Sequence, residues 1–93
     1  MSVTISLPGP LRELAGGRAQ LHVGANAGTV GEALAALRRE YPAIWDHILT
    51  EQGELRPHVN LFVGMDNIRA MDGLGTPVPA DGEIVVLPAV SGG

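Results

Sequence analysis

The sequence predicts a small α+β roll, with one mixed β-sheet closed over one main helix. Three observations lead there. Two short runs that alternate apolar and polar residues, Val3 to Leu7 and Ala19 to Val23, open the chain and read as half-buried strands. A capped stretch with apolar residues at helical spacing follows, from Thr29 to Glu40. An apolar run, Ile84-Val85-Val86-Leu87, comes last. An opening hairpin, a crossover helix and a terminal strand place the last strand beside the first, in the interior of the sheet, which is the arrangement of a β-grasp.

Each element has a local cause. Pro8-Gly9-Pro10 ends the first strand, and Leu11 to Ala15 is too short for more than a turn of helix. Gly16-Gly17 turns the chain into the second strand, and Gly24 to Gly28 forms a small-residue loop. Thr29 and Glu32 fit a capping box, and Val30, Ala33, Leu34 and Leu37 form one apolar stripe behind it. Tyr41 precedes Pro42, which ends this helix and suits the first turn of a second, running through Ile44 to Leu49. Val59 to Val63 is a strand, Gly64 to Asn67 a turn, and Ile68-Arg69-Ala70 a short partner strand. Two loops with turn chemistry, Asp72 to Gly75 and Pro77 to Gly82, lead to the final strand, Glu83 to Leu87.

Composition narrows the function. A chain of 93 residues makes one domain, and 45% hydrophobic content supports a folded core built from Leu, Val, Ile and Ala, since Tyr41, Trp45 and Phe62 are the only aromatics. The net charge of −4 and pI near 5.1 argue against a nucleic-acid footprint. All six cations are arginines, and lysine and cysteine are both absent, so thiol chemistry and thiolate metal sites are excluded. Met1 to Ile5 lacks the basic and apolar regions of a signal peptide, and no apolar run approaches a membrane span, so the expected location is the cytoplasm.

The ending is the most informative feature. Residues 1–90 read as the folded domain and 91–93, Ser91-Gly92-Gly93, as a flexible tail. Glycine packs nothing and loses the most freedom on ordering, so a Gly-Gly end does little for the fold. Its use lies in thinness: a chain without Cβ atoms enters a narrow cleft and presents the Gly93 carboxylate to another protein's active site. The strand before it is apolar on both faces. One face packs on the helix, and the other, carrying Leu87 and extended by Val63 on the neighbouring strand, is expected to be an uncovered docking surface.

These residues resemble the ubiquitin-like sulfur carriers of bacteria, which include the small subunit of molybdopterin synthase and the thiamine-synthesis sulfur carrier. Leu11-Arg12-Glu13-Leu14-Ala15-Gly16 is similar to the segment after the family's first strand, and Val59-Asn60-Leu61-Phe62-Val63 to its V-N strand. Asp81-Gly82-Glu83 through Ser91-Gly92-Gly93 is similar to its ending. The Pro-Ala-Val-Ser sequence before Gly-Gly and the long Thr50–His58 connection look closer to the carriers that feed cysteine synthesis in actinobacteria.

The resemblance implies a ubiquitin-like β-grasp that is a protein cosubstrate and not an enzyme. It implies that an activating enzyme uses ATP to adenylate Gly93, that a sulfide equivalent converts it to a thiocarboxylate, and that a sulfur-accepting synthase consumes the sulfur. The chain itself then binds no cofactor. The resemblance adds Arg12 to the partner contacts expected from the strand pattern and the tail, Val63, Leu87, Val90, Ser91 and Gly92, and a metalloprotease that trims residues added beyond Gly93 is a further implied partner. Two other functions share this pattern: the molybdopterin synthase small subunit, and a protein modifier joined to target lysines, for which the absence of lysine here prevents Lys-linked polymers.

Other constellations are weaker. His22, His47 and His58 lack metal-ligand spacing and read as solvated or core residues. No Gly-rich loop ends in Gly-Lys-Ser/Thr, and Ser6 and Ser91 lack a Gly-x-Ser-x-Gly setting. Asp66 and Asp72 read as turn residues, and Trp45 as core.

Overall fold

The computed structural model describes residues 2–24 and 28–88. Its element order is β1 (Val3–Ser6), α1 (Gly9–Arg12), β2 (Gln20–Val23), α2 (Val30–Glu40), α3 (Pro42–Ile48), β3 (Val59–Val63), β4 (Asp66–Asn67) and β5 (Glu83–Pro88). The strands form one mixed sheet in the order β2-β1-β5-β3-β4. The last strand is the central one, parallel to β1 with Ile5 opposite Ile84, and antiparallel to β3 with Leu61 opposite Val86.

The alternation along each strand separates a buried face from an open one. Val3, Ile5, Leu21, Val23, Val59, Leu61, Ile84 and Val86 point inward and meet Val30, Ala33, Leu34 and Leu37 of α2 and Ile44 and Ile48 of α3 in a single core. At about 25 cal/mol per Å2 of apolar surface, each such side chain contributes roughly 1.5–3 kcal/mol of burial.

The start of α2 follows from its cap. The Thr29 hydroxyl accepts from the Glu32 backbone N–H at 3.2 Å and donates to the Glu32 carboxylate at 3.3 Å. The same turn is tied to a distant segment, because the Val30 N–H donates to the Thr76 carbonyl at 3.0 Å and the Val78 N–H to that of Gly28 at 3.1 Å. Thr76 is fully buried there, its hydroxyl accepting from the Asp72 N–H at 3.2 Å.

Three expectations are revised. Ile68-Arg69-Ala70 is not a strand but a single 3-10 turn, and the partner of β3 is the Asp66–Asn67 pair. The Asn67 side chain caps this turn by accepting from the Arg69 N–H at 2.9 Å, and the bend drops Ile68 into the core. The hairpin between β3 and β4 is tight, with Gly64 at φ 63°, a conformation that favours glycine. The apolar positions before β2 also do more than turn once: α1 begins at Gly9 with Pro10 in its first turn, and Glu13–Ala15 continues it as a 3-10 turn. Trp45, expected in the core, packs against it but is only half-buried, and the Arg38 guanidinium lies over its ring, 4.4 Å from the centroid.

Candidate functional site

The end of β5 is where the fold hands over to the tail. Val90, Ser91, Gly92 and Gly93 lie outside the described residues, as does the proposed boundary between residues 90 and 91. What the structure supplies is the surface around their point of departure, Pro88.

The open face of the sheet divides in two. Its polar half lies over β2, β1 and the start of β5. There the Thr4 hydroxyl pairs with Nδ1 of His22 at 3.1 Å, the Ser6 hydroxyl donates to the Glu83 carboxylate, and the Gln20 amide donates to Ser6 at 3.4 Å. These side chains satisfy one another on the water-facing side of the sheet, with Thr4 and Ser6 partly buried. The other half is apolar. Val85 and Leu87 alternate outward from β5, opposite Phe62 and Asn60 of β3. Leu87 is 43% exposed, whereas Ile84 on the same strand is completely buried. The strand is therefore apolar on both faces, and only one of them is covered.

Val63 does not extend this patch, which corrects the sequence expectation. It pairs with Ile84 and packs against the core from the helix side. It also lies at the far end of β3 from the tail, since Val59, not Val63, is opposite Pro88. The side chain that widens the outward strip is Phe62, one position earlier. The alternation of β3 identifies Phe62 and Val63 as facing opposite ways, but the choice between them depends on the register of β3 against β5.

Arg12 ends α1 and is exposed. Its Nε donates to the Leu7 carbonyl at 3.1 Å, which pins the turn that leaves β1. The preceding residue, Leu11, shares a groove with Leu87 and Pro88, so α1 and the tail's root sit at one end of the molecule. The structure thus brings Arg12's helix and Leu87 together and leaves Val63 apart.

Among the described residues, no group of three or more His, Cys, Asp or Glu side chains is placed to hold a metal ion, and no helix is long and apolar enough to cross a membrane.

Comparison with known proteins follows the same outline. Residues 5–93 match the ThiS family, a span that includes the Gly-Gly ending. The chain is 34% identical over 95 residues to the sulfur carrier protein CysO of Mycobacterium tuberculosis, covering the whole of both chains. It superimposes on the crystal structure of that CysO with a TM-score of 0.84 at 30% identity, over 95% of this chain and 99% of the other. A crystal structure of an Amycolatopsis orientalis BexX/CysO complex gives a TM-score of 0.85 at 30% identity, over 98% of this chain and 99% of that one. The small archaeal modifier protein 1 of Haloferax volcanii is 38% identical over 84 residues, 89% of this chain and 91% of the relative. A β-grasp with a two-sided central strand, matched along its whole length, belongs to the ThiS family of ubiquitin-like sulfur carriers, and the chain is in that sense a protein substrate of other enzymes and not itself an enzyme.

Proposed function

We propose that this carrier holds sulfur as a thiocarboxylate on Gly93 and delivers it to the synthesis of cysteine or a related metabolite. The observation that carries the reading is the family match extending through residue 93, over a Gly-Gly end that gives the fold little benefit. A carboxylate is a poor electrophile. An activating enzyme with ATP joins the Gly93 carboxylate to AMP and releases pyrophosphate. A sulfide equivalent then attacks the carbonyl carbon, the bond to AMP breaks, and the thiocarboxylate remains. Its sulfur is a good nucleophile for a sulfur-accepting synthase, and hydrolysis after transfer restores the carboxylate. The chain contributes no general base. It contributes a thin end and, beside it, the apolar strip of Phe62, Val85 and Leu87 for both partners to dock on. A chemistry that uses ATP suits the cytoplasm.

The test is to incubate the protein with its activating enzyme, ATP and sulfide and to take its intact mass. Exchange of one oxygen for sulfur adds about 16 Da, a covalent change at the terminus. The gain should disappear when Gly93 is removed. No gain, or a gain that survives that removal, overturns the reading.

A second reading is attachment to target lysines, favoured by the likeness to small archaeal modifier protein 1. Immunoblots showing high-mass adducts that depend on Gly93 support it, and their absence in cells that form the thiocarboxylate counts against it.

A further inference from the structure

A groove of about 150 Å3 opens at the root of the tail and shares Leu87 with the outward strip. Its apolar wall is made by Pro10 and Leu11 of α1, Val59 at the start of β3, and Leu87 and Pro88 at the end of β5. Two histidines from separate elements complete it: His47 in the last turn of α3 and His58 just before β3. Both also line an adjoining depression with Ala43, Asp46 and Arg56. The arginine is held in place. Its Nε donates to the Asp46 carbonyl at 2.7 Å, and its own carbonyl accepts from the Arg69 guanidinium at 2.7 Å. An apolar slot is thus bordered by two imidazoles, each able to donate a ring N–H, and by a fixed guanidinium.

The geometry points to this groove as the seat of an apolar side chain flanked by a carboxylate, presented by the enzyme that activates Gly93. The proposal rests on the carrier reading above and names where its first partner grips. Reach supports it. Five residues, Ala89 to Gly93, follow Pro88, and at about 3.3 Å each they span roughly 17 Å. A protein that encloses the Gly93 carboxylate must therefore come against Pro88, which is one wall of the groove. Hydrogen bonding supports it as well. The depression holds one carboxylate, Asp46, together with the Arg56 guanidinium, and the N–H donors of His47 and His58 beside them give a carboxylate on the partner its hydrogen bonds. The outward strip offers only apolar contact and fixes no orientation. A slot with hydrogen-bond donors on one rim does.

The experiment measures steady-state AMP release by the activating enzyme of the same organism, with ATP and sulfide saturating and the full-length carrier as the varied substrate. His47 and His58 are both exposed, so the double variant His47→Glu/His58→Glu should keep the thermal midpoint of the unaltered chain. Its KM for carrier should rise roughly tenfold with kcat within about twofold, because the charge reversal acts on encounter and docking. His47→Gln/His58→Gln, which keeps donors and adds no charge, should recover most of that loss. Arg39→Glu, an equal insertion of negative charge on the exposed face of α2, should leave both constants unaltered. Turnover of the unaltered chain with the same KM for the Glu double variant overturns the groove alone. An equal rise in KM for Arg39→Glu also overturns it, since the effect is then one of net charge. No AMP release with the unaltered chain overturns the carrier reading and the groove with it.

Discussion

Ile84 and Leu87 are three positions apart on one strand and face opposite ways, so substitutions at the two separate the stability of the fold from the proposed docking. Ile84 is fully enclosed, and Ile84→Ala should lower the unfolding free energy by about 2–5 kcal/mol, the transfer and cavity cost of a large aliphatic side chain. Leu87 stands 43% exposed on the open face. Leu87→Ala should cost the free domain less than about 1 kcal/mol, yet weaken partner binding by about 2 kcal/mol, close to thirtyfold. Urea unfolding and titration with the activating enzyme, on the same pair of variants, give both numbers. A loss of several kcal/mol of stability in Leu87→Ala contradicts the assignment of faces. Gly93→Ala tests the thin end instead. It adds one methyl group beyond the last strand, so it should leave the thermal midpoint unchanged while sharply reducing adenylation. A shifted midpoint or unaltered turnover counts against a cleft that excludes a Cβ.

At the scale of elements, short structures depend on side chains that satisfy backbone groups. Helix α2 starts at Val30 because the Thr29 hydroxyl accepts from the Glu32 N–H. Thr29→Ala should therefore destabilise the domain by about 1 kcal/mol, with a wider range of roughly 0.5–2 kcal/mol. Thermal unfolding followed by circular dichroism measures it, and an unchanged midpoint would show that the pairing of this turn with Thr76 to Val78 suffices alone. Arg69 plays a similar part for β3. Its guanidinium donates to the Arg56 and Val59 carbonyls, each at 2.7 Å, and to the Asn60 side chain at 3.3 Å. These bonds fix the end of the long connection after α3 and so set the position of His58 beside the groove. The turn that presents Arg69 is the one the sequence pattern reads as a strand.

Across the whole molecule, the order β2-β1-β5-β3-β4 makes the last strand in sequence the centre of the sheet. Termini commonly fray, but here the central position holds the root of the tail between β1 and β3. Ending the chain at Gly82 removes the strand that joins the two halves of the sheet. Such a variant should show no cooperative unfolding transition in urea, since Ile5 and Leu61 would each lose their covered neighbours Ile84 and Val86. A sharp transition in that variant would mean that the halves fold without β5.

The parts of this protein legible in its sequence are those set by near neighbours. The spacing of Val30, Ala33, Leu34 and Leu37 identifies the helix and its buried stripe, and Thr29 with Glu32 marks where it begins. The alternation of Val59 to Val63 matches the bounds of β3, and the run Glu83 to Leu87 matches β5 to within one residue. The Gly-Gly end is plain in the sequence, and its use as a thin end remains the proposal that Gly93→Ala tests. The sequence also shows that β5 is apolar on two sides. What it leaves open is everything that depends on register and on contact between distant segments. A shift of one residue exchanges the faces of a strand, so Phe62 rather than Val63 joins Leu87 only because the pairing of β3 with β5 sets Val63 opposite Ile84. Ile68 has strand propensity, but burial in the core and the Asn67 cap outweigh it. His47 and His58 carry no motif, and they share a groove because α3 and the start of β3 are packed against the end of β5. Local propensities act over a few residues of chain, whereas a shared face or groove is chosen by the packing of the complete core, and that choice is made only in three dimensions.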